Sequence, residues 1–156
     1  MEYTIWKDYL EHLEQNGIPK PEQYLFAEHF CNDRASADKL YQLAIDGKKK
    51  ATTGSIWAYE YDKEPILNPG DLTILTNYDS SRACVIRTKK VIIKKFKEIT
   101  EEEASKEGEG DLSLGYWRRV HKEYFEEECL RIGKEFSEEM PVAFEEFDIA
   151  YKNDKS

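Results

Sequence analysis

Between Asp46 and Ser55 the chain places three lysines, Lys48, Lys49 and Lys50, directly before the hydroxyl side chains Thr52, Thr53 and Ser55. Ammonium groups donate hydrogen bonds and carry charge, and hydroxyls both donate and accept. Together they suit a phosphate, a carbonyl oxygen or the edge of a nucleobase. A plainer account fits the same residues. Lysines just past a helix face the negative end of its dipole, and Thr and Ser are ordinary turn residues. Other groups able to do chemistry are the acids of Glu107-Gly108-Glu109-Gly110-Asp111 and the lone His121. His121 falls on an apolar helical face beside Trp117 and Tyr124, where a packing role is the simpler reading. His12 and His29 have no identifiable partners, and Glu126-Glu127-Glu128 reads as a solvated face.

These residues need elements to position them. The spacing of Leu40, Leu43 and Ala44 predicts a helix over 36–46, capped by Ser36 and ended by Gly47. The apolar, aromatic run Ile56-Trp57-Ala58-Tyr59 predicts a strand over 55–60, so the lysines and threonines fall on a helix-to-strand turn. Upstream, Trp6, Tyr9, Leu10 and Leu13 predict a helix over 3–16, and Leu25, Phe26 and Phe30 a second over 22–31. Downstream, strands are predicted over 72–76, 82–88 and 91–96, with Asn77–Ser81 as a hairpin loop. Thr100 to Glu103 has capping-box spacing. A long helix is predicted over 113–132, with Asp111 and Ser113 at its start; that N-terminus could alternatively aim its amides at an anion. A last strand spans 140–151, with Glu145-Glu146 as its bulge.

The totals bound the rest. The chain of 156 residues suits one domain, with residues 1–35 as an N-terminal helical extension. No apolar run approaches the roughly 20 residues of a membrane span, and the N-terminus lacks a basic-then-apolar leader. Cys31, Cys84 and Cys129 are widely spaced, without metal-ligand spacing, and read as reduced thiols in a cytoplasmic protein. The net charge is −9, yet residues 98–148 alone hold 17 acidic and 6 basic residues, so the remainder sums to +2. Seven basic residues and no acidic one lie between Arg82 and Lys97. A uniform polyanion-binding surface is excluded; a local basic strip is not.

Gly47-Lys48-Lys49-Lys50-Ala51-Thr52 resembles the G-x-K-x-x-T signature of ASCH-domain proteins. The stretch from Glu107 to Leu114, with Tyr116-Trp117-Arg118 and His121, resembles the second block of bacterial free-standing members; Pro69-Gly70-Asp71 and Cys84-Val85-Ile86 match in order between them. The resemblance implies an α+β, PUA-like fold: a small, mostly antiparallel β-barrel with flanking helices. It implies RNA or a nucleoside- or nucleotide-like ligand as partner, with no cofactor and no metal. Some members behave like ribonucleases. A compact branch removes acetyl from N4-acetylcytidine, and carried over, its working residues are Lys49, Thr52 and Glu107.

In that chemistry Thr52 attacks an amide if Lys49 sheds its proton. Burial and neighbouring lysines disfavour the charged lysine, whereas an ion pair with Glu107 favours it, and the residues leave both open. Glu107 or Glu109 would orient Lys49 or protonate the leaving amine. For binding alone, Lys48, Lys49, Lys50 and Arg82 would meet phosphate, Trp57 or Tyr78 would stack a base, and Thr53 and Ser55 would line the cleft. A third reading is an interaction module with no small ligand.

Overall fold

The computed structural model describes residues 3–156; Met1 and Glu2, part of the stretch read for a leader, lie outside them. Helix α1, Thr4–Gln15, buries Ile5, Trp6, Tyr9 and Leu13 at helical spacing. They pack on Leu72, Ile74 and Val85 of the sheet, each such burial contributing about 1.5–3 kcal/mol. The expected helix over 22–31 does not form. Strand β1, Ala27–Glu28, runs parallel to β3, Leu72–Thr76. Leu25 N–H donates to Leu72 O and Ile74 N–H to Phe26 O, so β3 takes the backbone groups a helix would have paired internally.

Helix α2, Arg34–Ile45, starts two residues before the expected cap, because Asp33 rather than Ser36 is the cap: its carboxylate accepts from Ser36 N–H at 2.9 Å. The strand expected over 55–60 is displaced upstream. Strand β2 is Ala51–Ser55, and Ser55 Oγ accepts from Ala58 N–H to begin α3, Ile56–Asp62. A short apolar run does not distinguish strand from helix, and the serine cap decides it.

The two strands expected over 82–96 are one, β4, Ala83–Lys95. Lys89 bulges out where Thr88 pairs Phe147 and Lys90 pairs Glu146 of β5, Pro141–Tyr151. The expected bulge at Glu145-Glu146 therefore lies on the neighbouring strand. Helix α4, Glu101–Lys106, has the expected capping box from Thr100 and Glu103. Helix α5, Leu114–Arg131, starts at the Ser113 cap and buries Trp117, His121, Phe125 and Cys129, every fourth residue, against the sheet.

The sheet order is β1-β3-β4-β5-β2, antiparallel except for β1 with β3. It is not closed, which corrects the expected barrel. β1 is two residues long and pairs only with β3, while β2 pairs only with β5 before turning into α3. The fold is mixed α+β with an open five-stranded sheet. Among the described residues no helix is long and apolar enough to cross a membrane.

Candidate active site

The turn after α2 is fixed by its backbone. Gly47 takes φ +75°, and Lys48 N–H and Lys49 N–H both donate to Leu43 O. Lys50 N–H donates to Lys106 O at 2.7 Å, tying the turn to the end of α4. Gly108 then passes so close that a Cβ on it would lie 2.3 Å from Lys48 O. Only glycine permits that approach. The lysine turn and the Glu107 loop are thus one construction.

At its centre Glu107 is 1% exposed. Its Oε1 accepts from Lys49 Nζ and His121 Nε2, each at 3.2 Å. Its Oε2 accepts from Thr53 Oγ1 at 2.8 Å and from Trp117 Nε1. Lys49 Nζ also donates to Glu109 at 3.3 Å and lies 5.0 Å over the Phe30 ring. His121 Nδ1 faces Trp117 O at 2.9 Å, and a carbonyl only accepts, so Nδ1 carries a proton. Nε2 faces a carboxylate oxygen, so it carries one too, and the ring is an imidazolium stacked on Trp117 at 4.1 Å. Two cations thus balance the carboxylates of Glu107 and Glu109.

Burial alone would raise the pKa of Glu107, but His121 and Lys49 beside it hold it well below the usual carboxylate range. Burial alone would lower that of His121, but Glu107 overrides it and raises it. The signs differ. The Glu107 contribution to stability is present above its ordinary 4.5 and lost as pH falls below it. The His121 contribution is full below its ordinary 6.5 and lost as pH rises through its raised folded value. The hub's own contribution is therefore fullest between about pH 4.5 and 6.5 and falls on both sides, and the raised carboxyls of Glu145 and Glu28 steepen the fall on the alkaline side. Urea midpoints measured across that range check it; a steady rise towards alkaline pH would contradict it.

This hub forms one wall of a cavity of about 250 Å³. The open sheet lends both edges to it, Glu28 and His29 from the β1 side and Thr52 to Ser55 from β2. Glu145 of β5 lines it too, its Oε1 accepting from Tyr59 Oη at 3.1 Å. Burial pushes the Glu145 carboxyl up to about 7, although the Tyr59 hydrogen bond lowers it. Glu28 is exposed at the rim, and the protein packed around it, with the charges of Glu145 and Glu64, raises its pKa. Glu107, Glu109 and His121 present ligand atoms within 4.8 Å of one another, a spacing that suits a metal ion. Lys49 Nζ already bridges the two carboxylates, so an ion would have to displace it.

The ASCH domain profile matches residues 26–151. The chain belongs to the ASCH domain family. It is similar to the crystal structure of an ASCH domain from Lactobacillus crispatus JV V101, with 30% identity, coverage of 95% of this chain and 92% of that one, and a TM-score of 0.85. A protein from Enterococcus faecalis V583 shares the fold at a TM-score of 0.80 and 24% identity, covering 94% of this chain and 87% of its own. A search of curated proteins finds no match.

In this ASCH domain, Lys49, Thr52, Thr53, Ser55, Glu107 and Glu109 all line the cavity. Lys48 and Lys50 are exposed, and Lys50 lines a separate recess with Lys89 and Lys152. Trp57 packs on the core beneath Lys134. Tyr78 lies against His29 and Arg34. Arg82 donates to Ser156 O and Gln42 and covers the Tyr41 ring. None of these last three lines the cavity. The basic strip is largely paired: Lys94 with Glu103, Lys95 and Lys97 with Glu139, Arg87 with Asp148. Sequence reasoning passed over Trp117, Tyr59 and Glu145 and assigned His121 to packing. The four-residue spacing of Trp117 and His121 beside a buried acid was the available signal.

Proposed function

We propose that this ASCH domain binds one nucleoside-sized ligand and removes an acyl group from its amide, rather than holding a run of RNA. The cavity carries the reading. Its volume of roughly 250 Å³, with a lysine, hydroxyls and carboxylates on its walls, lies close to the lower end of small-molecule sites, about 300–1,000 Å³. A strand of RNA calls for an open basic track leading from the motif, whereas most cations of β4 are already paired with acids. The Thr52 hydroxyl is unengaged by any described residue and lines the cavity, as a nucleophile should.

The experiment is incubation of the protein with N4-acetylcytidine, following cytidine and acetate by chromatography. Turnover is expected, reduced at least about 100-fold by Thr52→Ala, which removes the nucleophile, and by Lys49→Ala, which loosens the wall beside it. Absent turnover, combined with tight binding of short single-stranded RNA, would overturn the reading.

A further inference from the structure

Two members of the hub are already engaged. Glu107 already accepts four donors on its two oxygens, and Lys49 Nζ donates to two carboxylates. Directly opposite Thr52, on the neighbouring antiparallel strand, is Glu145. Residues so paired project to the same face, with Cβ atoms about 4.5–5.5 Å apart. Glu145 is 5% exposed; its Oε1 accepts from Tyr59, and its Oε2 has no partner among the described residues. Tyr59 is held where it is by a bare stretch of backbone, since a Cβ on Gly54 would lie 1.9 Å from Tyr59 Oη. An unengaged hydroxyl, a carboxyl across from it and a third group orienting that carboxyl form a nucleophile, base and orienter.

We infer that Glu145 is the proton acceptor for the Thr52 nucleophile already proposed, with Tyr59 orienting Glu145 and the Lys49–Glu107 hub holding the wall they work against. The inference rests on the hydrolytic reading above. As Thr52 Oγ bonds to the acyl carbon, its proton passes to Glu145 and the carbonyl electrons move onto oxygen. When the carbonyl re-forms, the C–N bond breaks and the amine leaves with the proton from Glu145. Water then adds to the Thr52 ester, giving its proton to Glu145. The C–Oγ bond breaks, Thr52 regains its proton, and the free acid departs. The titratable groups that line the cavity with Glu145 are Glu28, His29 and Cys31 on the β1 side, Tyr59 and Asp62 of α3 with Glu64 after it, Tyr124, Glu128 and Arg131 of α5, and the Lys49–Glu107–Glu109–His121 hub. Among them Glu145 titrates near 7, where a general base is most effective at neutral pH.

The test uses 4-nitrophenyl acetate, which needs no nucleoside pocket. The wild type is expected to release 4-nitrophenolate through an acetyl group mapped by mass spectrometry to Thr52, at a rate rising through about pH 7. Glu145→Gln is expected to slow it at least about 100-fold, and Tyr59→Phe to move the pH midpoint without abolishing the reaction. Circular dichroism identifies variants that keep the fold. Acetylation elsewhere than Thr52, or an unchanged rate in folded Glu145→Gln, would overturn the pair. Glu145-dependent acetylation without N4-acetylcytidine turnover would support the pair and remove only the substrate assignment.

Discussion

Glu107→Ala is expected to lower the unfolding free energy by about 3–5 kcal/mol, because it leaves buried His121 without its counter-charge and Lys49 with Glu109 alone. Lys49 is 2% exposed and His121 9% exposed, and both direct a proton at this one carboxylate. Thr53 and Trp117 lose their acceptor at the same time, and an orphaned buried donor costs about 1–3 kcal/mol. Urea denaturation near pH 6 measures the loss. Adding Lys49→Met to Glu107→Ala is expected to recover little of it, since Lys49 still has Glu109 and its removal unpairs that acid. A loss under about 1 kcal/mol would mean that the four donors find solvent once the carboxylate is gone.

Gly108→Ala is the second large effect, with an expected loss of about 2–4 kcal/mol. The residue sits at φ +73°, and its added methyl would meet Lys48 O, Lys48 C and Lys49 N at 2.3, 2.6 and 2.8 Å. Those are backbone atoms, so no rotamer change relieves the clash. The lysine turn would be pushed off the loop that carries Glu107 and Glu109, and Lys49 would lose its placement. Gly133→Ala is the control: it has a similar φ of +75° but open space around it, so it is expected to cost only about 1 kcal/mol. At roughly 2–4 °C per kcal/mol for a chain of this size, thermal melting separates the two. Equal midpoints for both variants would show that conformational strain, and not the close approach, sets the requirement for glycine.

What could be read from the residues was whatever is local. Helix α1, the Thr100 capping box, the Ser113 cap and β3 all follow from periodicity and short-range hydrogen bonding. The misread segments are those settled by distant partners. Leu25 to Phe30 has helical spacing, but β3 supplies its hydrogen bonds. Ile56 to Tyr59 is apolar enough for a strand, but the Ser55 cap and the space above Gly54 make it a helix. Closure of the sheet depends on whether its two edges meet, which no local pattern encodes. The site divides in the same way. Lys49, Thr52 and Glu107 stand in recognisable blocks, whereas Glu145 alternates with apolar neighbours like any outward-facing strand residue. It becomes notable only once β2 is laid beside β5 and Tyr59 leans over it.

Because no ladder joins β1 to β2, the cavity between them is bounded by a seam rather than by a wall of backbone hydrogen bonds. The width of that seam is set by the curvature of β4 and β5 and by side chains reaching across it. A guest can spread the two edges by flexing the long strands while every backbone ladder bond of the sheet stays made. The mouth is therefore compliant and the sheet stiff. Amide exchange should report this as a ligand that quiets β1 and the start of α3 and leaves the protection of β4 and β5 as it was.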